Sequence, residues 1–143
     1  MEKFIYIYAL LFTIIGCNAQ NTLNKKESKL SSNFISANFT GKFTKYIETE
    51  ETTSGTGSIT YNFIINKDKI NLTTTTYQEP IMCNGKYKGV EKSNILEIYY
   101  DGDEKKCISK KPSFFVKKEK NKYFIKGVGG EGSIGVWLEL KKE

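Results

Sequence analysis

"GSITYNFIINKDKINLTTTTYQ", residues 57–78, holds two alternations back to back. Ile59, Tyr61, Phe63 and Ile65 share one face of the first segment; Ile70, Leu72, Thr74 and Thr76 share one face of the second. A period of two is that of a β-strand, whose successive side chains point to opposite sides. The polar "NKDK" between them has the length of a tight turn, so the pair reads as a hairpin.

The same pattern extends in both directions. "FTGKFTKYIETEE" precedes the hairpin, and "IMCNGKYKGVEK", "NILEIYYD", "SFFVKKE", "KYFIKG" and "IGVWLELKK" follow it. "QEP", "KSN", "DGDEKKCISKKP", "KNK" and a run of glycines break the chain between them. That makes eight strands with no helix-period segment, in a chain rich in Tyr, Phe, Thr and Ile. An eight-strand meander loses its exposed edges by closing on itself. The fold class expected is all-β: a small, lipocalin-like, antiparallel up-and-down barrel, with a two-sheet β-sandwich as the alternative. Phe63, Ile65, Leu72, Leu96, Ile98, Val116, Ile125, Val136 and Leu138 fall on inward positions. Strands this short predict an interior packed solid rather than open as a cup.

The domain occupies residues 39–143 on this reading. Residues 1–19 carry Lys3, an apolar run from Phe4 to Ile15 and then small residues, which is the form of an export signal and too short for an anchor helix. Two cuts stay open. "IIGC" ending at Cys17 resembles a lipobox, in which that thiol takes a diacylglycerol; "CNA" before Gln20 resembles an ordinary cleavage site. Residues 20–38 are polar, rich in Asn, Ser and Lys, and read as a flexible tether that stands a domain off a membrane. The protein is expected outside the cytoplasm, as a membrane lipoprotein facing the periplasm or the cell surface, or as a soluble periplasmic or secreted form.

Export bears on the cysteines. Lipidating or removing Cys17 leaves Cys83 and Cys107, and an oxidising compartment favours a disulfide between them. It would tie the fourth strand to the long connection after the fifth and stabilise the fold by ~3 kcal/mol on chain-entropy grounds. No C-x-x-C motif gives the pair a redox role.

Most catalytic chemistry lacks its residues. There is no His and no Arg, which removes Ser-His-Asp and Cys-His catalysis, the commonest metal ligand and the bidentate phosphate clamp. Gly127, Gly129 and Gly132 in "KGVGGEGS" have G-x-G-x-x-G spacing, but a strand signature with Trp137 follows where a phosphate-binding helix must begin. Ser133 stands where a P-loop needs Lys. The run therefore reads as the connection into the last strand. "DGDE" at 101–104 opens like a calcium loop, yet Lys105 and Lys106 follow and Pro112 takes the place of the closing Glu. No carboxylate pair is placed across a cleft for glycoside hydrolysis. The expectation is a non-enzymatic protein without metal or cofactor.

Charge adds a partner class. The balance of +6 comes entirely from Lys, with Lys105, Lys106, Lys110, Lys111, Lys117, Lys118, Lys120, Lys122 and Lys126 in one stretch. Nucleic acid is a poor partner for an exported chain, and an anionic envelope surface or an acidic protein a better one. Acidic residues collect at Glu48, Glu50 and Glu51, at Asp101 and Asp103, and at Glu131 within the glycine run; these are the candidate contacts for a protein partner.

"CNGKY", "LEIYYDGDEKKC" and "YFIKGVGGEGS" with Trp137 together resemble a pattern of small exported proteins of Gram-negative bacteria that carries no established activity. In architecture alone, the lipid anchor, small barrel and single disulfide are similar to the membrane-bound inhibitors of c-type lysozyme. That resemblance is one of fold; the function expected is that of a non-enzymatic envelope lipoprotein that binds another protein, as an immunity protein or inhibitor of a periplasmic toxin or hydrolase. The alternative is a carrier of a small apolar ligand or lipid, and the volume inside the barrel separates the two.

Overall fold

Eight strands follow one another around the molecule: β1 (Gly41–Thr52), β2 (Gly55–Ile65), β3 (Ile70–Tyr77), β4 (Gly85–Lys92), β5 (Ile95–Tyr100), β6 (Phe114–Glu119), β7 (Lys122–Lys126) and β8 (Leu138–Lys142). The structure is a computed structural model that describes residues 34–81, 83–129 and 135–143. The export signal, Cys17, most of the tether and Glu131 lie outside the described residues. Each strand pairs antiparallel with the next, and β8 returns to β1 through Phe43 opposite Lys142 and Thr44 opposite Lys141. This closes an up-and-down barrel and disposes of the sandwich.

Local chemistry explains where the strands end. Ser93 and Asn94, with φ of 48° and 64°, give the β4–β5 hairpin the two left-handed residues whose twist matches the flanking strands. Two expected strands begin late. Cys83, which has φ 56°, turns the chain ahead of β4, so it precedes that strand instead of lying in it. At the other site, Gly135 with φ 81° delays β8 to Leu138, and Val136 is 48% exposed rather than inward.

The other inward positions fill the barrel. Phe63, Ile65, Leu72, Leu96, Ile98, Val116 and Ile125 are buried, and Leu138 packs against them while partly exposed. Fully burying each such side chain contributes ~1.5–3 kcal/mol. The β2–β3, β4–β5 and β6–β7 turns mark one end of the barrel, and the residues just before β1 seal it. Ile35 is buried there with Phe39, although its polar neighbours place it in the tether by composition. The Ile35 N–H donates to the Lys67 carbonyl at 2.7 Å, and the Tyr123 hydroxyl donates to the Asn38 carbonyl at 2.8 Å. Gly89 makes room for this plug, since a Cβ on it would lie 2.8 Å from both Ile35 Cδ1 and Leu96 Cδ1.

Candidate functional site

Among the described residues, the opposite end of the barrel is open. It carries the four remaining connections, residues 53–54, 78–84, 101–113 and 127–137. Inside it lies a cup of about 650 Å³, so the interior is packed over only part of its length and the expectation of a solid barrel is corrected.

The strand faces explain why. The inward face of β3 runs Ile70, Leu72, Thr74, Thr76 towards this end, and that of β2 runs Ile65, Phe63, Tyr61, Ile59 to Gly57. Large apolar groups give way to small or polar ones, and volume is left unfilled. Strands β3 and β4 also part company, pairing only from Ile70–Tyr87 to Leu72–Gly85. Asn84 substitutes for the missing ladder: its Oδ1 accepts the Thr74 N–H at 2.9 Å and the Thr74 hydroxyl at 2.8 Å. Thr74 is thereby satisfied although buried.

The floor of the cup is aromatic and aliphatic. Phe114 meets Phe63 edge-on at 5.2 Å between centroids, Tyr87 at 5.8 Å and Tyr61 at 6.0 Å, and Leu72 lies beside them. The wall adds Thr49, Glu50, Ile59, Thr76, Glu79 and Pro80. A register shift between Glu48 and Glu51 inserts one extra residue in β1 opposite β2. Such a bulge re-aims side chains, and it lets the consecutive residues Thr49 and Glu50 both line the cup. A Cβ on Gly57 would collide with Thr49 Oγ1 and lie 3.2 Å from Glu79 Oε1, so the missing side chain leaves room for both groups. The Thr49 hydroxyl is buried without a hydrogen-bond partner.

The phenols stay protonated. Burial pushes Tyr61 above its ordinary value, the Gly129 N–H opposes the rise, and the charge of Glu79 adds to it. That N–H donates to the Tyr61 oxygen at 2.8 Å, leaving the phenol's own proton free to donate. Burial likewise raises Tyr87, helped by Tyr100 and Glu104, and its hydroxyl donates to the Cys83 carbonyl at 2.5 Å. The first glycines of the run are tied to the barrel as well: Gly127 has φ 103°, and a Cβ there would run into the Ser113 carbonyl. Gly127 and Gly129 both stand in the wall of the cup.

Cys83 and Cys107 form the expected disulfide, with Cα atoms 5.5 Å apart. It joins the β3–β4 connection to a short 3-10 turn, Lys105–Cys107, at the open end. The Glu104 carboxylate accepts the Cys83 N–H at 3.0 Å and lies 3.1 Å from Lys106 Nζ. Those two sulfurs and Glu104 are close enough for a metal ion, but thiolates are the ligands a metal takes, and the disulfide has consumed both.

Of the five described among the six acidic residues singled out in the sequence, Glu50 alone lines the cup, and it is itself largely exposed. Glu48 and Glu51 are exposed near it; Asp103 is exposed elsewhere on the open end. Asp101 pairs with Lys88 at 3.5 Å in a groove on the outer wall. The lysine stretch is divided too. Lys117 stacks 4.6 Å from the Trp137 ring and pairs with Glu119, Lys126 lies 5.9 Å from the same ring, and Lys122 pairs with Glu139. Lys42, Lys67, Lys69, Lys92, Lys118 and Lys120 lie around the closed end together with Asp68, Glu91 and Glu119, whereas Glu48, Glu50, Glu51, Glu79, Asp101, Asp103 and Glu104 lie around the open one together with Lys105, Lys106, Lys110 and Lys111.

Sequence reasoning missed Glu79, Thr49 and Phe114 as site residues. The retreat from Ile70 and Leu72 to Thr74 and Thr76 on one face was the signal that could have found the cup. Compared with known protein families, curated proteins and solved structures, the chain matches none of them.

Proposed function

We propose that the domain is a non-enzymatic receptor for a small, largely apolar molecule, held in the open end of the barrel outside the cytoplasmic membrane. It acts there either anchored through Cys17 or released after Ala19. The observation that carries the reading is the cup: about 650 Å³, within the range of small-molecule sites, with an apolar floor and a few polar groups on its wall. The closed end supports it, because a floor packed from below and sealed by Ile35 and Phe39 holds its shape when the cup is empty.

A protein partner is the second reading, as an inhibitor or immunity factor of the envelope. It is favoured by Tyr77, Ile81, Ile108 and Val136, all exposed at the open end, where a partner would cover the mouth.

Titration with the neutral, environment-sensitive dye N-phenyl-1-naphthylamine tests the first reading. The expected result is saturable, blue-shifted emission that Thr76→Trp abolishes while circular dichroism stays unchanged. Emission that persists in Thr76→Trp would remove the cup as the binding site. A protein retained equally by both forms would favour the second reading instead.

A further inference from the structure

We infer that the molecule taken by the cup is an amphiphile with a cationic amine head, and this rests on the reading of the cup as a ligand site. Among the described residues, the lining carries two carboxylates, Glu50 and Glu79, and no lysine. Its other ionisable groups are phenols that burial keeps neutral. A carboxylate-headed ligand would meet like charge. A neutral one would displace water from both acids and give them no counter-charge, which costs free energy. An ammonium pairs with them directly.

Three details strengthen this chemistry. The bulge in β1 brings Glu50 onto the wall, and Gly57 clears the space into which Glu79 reaches. Thr49 Oγ1, buried and without a partner among the described residues, sits by the same Gly57 gap as Glu79, so this part of the wall holds oxygen atoms and no cation. Tyr61 and Phe114 present ring faces and edges at the floor, where an apolar body packs and a quaternary ammonium is also attracted. The overall charge of +6 does not oppose binding at this end. The lysines of the closed end are screened over a Debye length of about 8 Å, and those of the open end, Lys105, Lys106, Lys110 and Lys111, do not line the cup, which leaves Glu50 and Glu79 as its nearest charges.

Competition at neutral pH tests the inference, using dodecylamine, dodecanol and dodecanoate against bound N-phenyl-1-naphthylamine on the purified protein. All three carry the same hydrocarbon chain. Dodecylamine is expected to displace the dye at about tenfold lower concentration than dodecanol, with dodecanoate weakest. Glu79→Gln should remove most of that advantage by weakening dodecylamine, while dodecanol, which then desolvates one charge fewer, should bind no more weakly than before. Glu50→Gln provides the same readout should Glu79→Gln fold poorly. If dodecanol or dodecanoate competes as well as the amine, the amine inference is overturned while the receptor reading stands. If the dye itself does not bind, or binds undiminished in Thr76→Trp, the receptor reading falls and the inference with it.

Discussion

The two ends of the barrel are built from the same strands and differ in what those strands put inside. Towards the closed end Ile65, Phe63, Ile70 and Leu72 interlock beneath Phe43 and the Ile35–Phe39 plug, each almost fully buried. Towards the open end the same two strands offer Thr74, Thr76, Ile59 and Gly57, and a cup remains. Stability is thus concentrated in one end, which leaves the other free to hold groups that packing alone would not select, such as an unpartnered hydroxyl and two acids.

The largest expected effect tests that division. Phe63 is 1% exposed and meets Phe114 edge-on. Phe63→Ala should cost about 3–5 kcal/mol in urea unfolding, because it removes buried surface and leaves a cavity. Thr76→Ala, on the cup wall, should change the midpoint by less than about 0.5 kcal/mol. Equal losses at the two positions would mean that the cup is part of the load-carrying core.

Next comes the disulfide, which sits wholly at the open end. Replacing Cys83 and Cys107 by Ser should destabilise the protein by about 3 kcal/mol through the freer unfolded chain. Dye affinity should fall as well, because Cys83 lines the cup and its bridge holds the β3–β4 connection where the ladder has been lost. Unchanged dye binding in a folded double variant would show that Asn84 alone shapes that wall.

A pair of glycines draws the comparison more finely. Gly89→Ala drives a Cβ to 2.8 Å from Ile35 and Leu96, both locked in the packed end, and should cost about 1–3 kcal/mol. Gly57→Ala meets the Thr49 hydroxyl, which can turn about χ1, so about 1 kcal/mol or less is expected. The second change should instead weaken dye binding by narrowing the wall. Reversed costs would place the rigid end at the mouth.

How much of this was legible follows from what each feature depends on. Alternation and turn chemistry are local, so the eight strands, the closed barrel and the Cys83–Cys107 bridge could be read from the sequence. The plug could not: Ile35 lies with Phe34 in a stretch that is otherwise mostly polar, and only the completed barrel gives it a place beside Phe39. The bulge that brings Glu50 to the cup wall has no compositional mark, which is why Glu48, Glu50 and Glu51 looked equivalent. Glu79 followed a strand and preceded Pro80, an ordinary turn acid until Gly57 is seen across from it. Thr74 and Thr76 were counted as strand formers, and their small size, which opens the cup, went unused.

The smallest effect expected is a pH dependence at the open end. Lys106 and then the Cys83 N–H hold the Glu104 carboxyl below its ordinary 4.5. A carboxyl lowered on folding adds stability that is present above its unfolded value and is lost as pH falls through the lowered folded one. Urea midpoints of the wild type should therefore drop as pH decreases below about 4.5, and the drop should be shallower in Glu104→Gln. Gln keeps an oxygen for the Cys83 N–H and loses the charge that pairs with Lys106. Near neutral pH the cost should be slight, since an exposed pair is screened by solvent. Some slope should survive in the variant, because Lys92 and Tyr99 lower Glu97 on the outer wall in the same sense. Identical slopes in the two proteins would mean that Glu104 does not couple to folding, and that the disulfide alone holds the open end in shape.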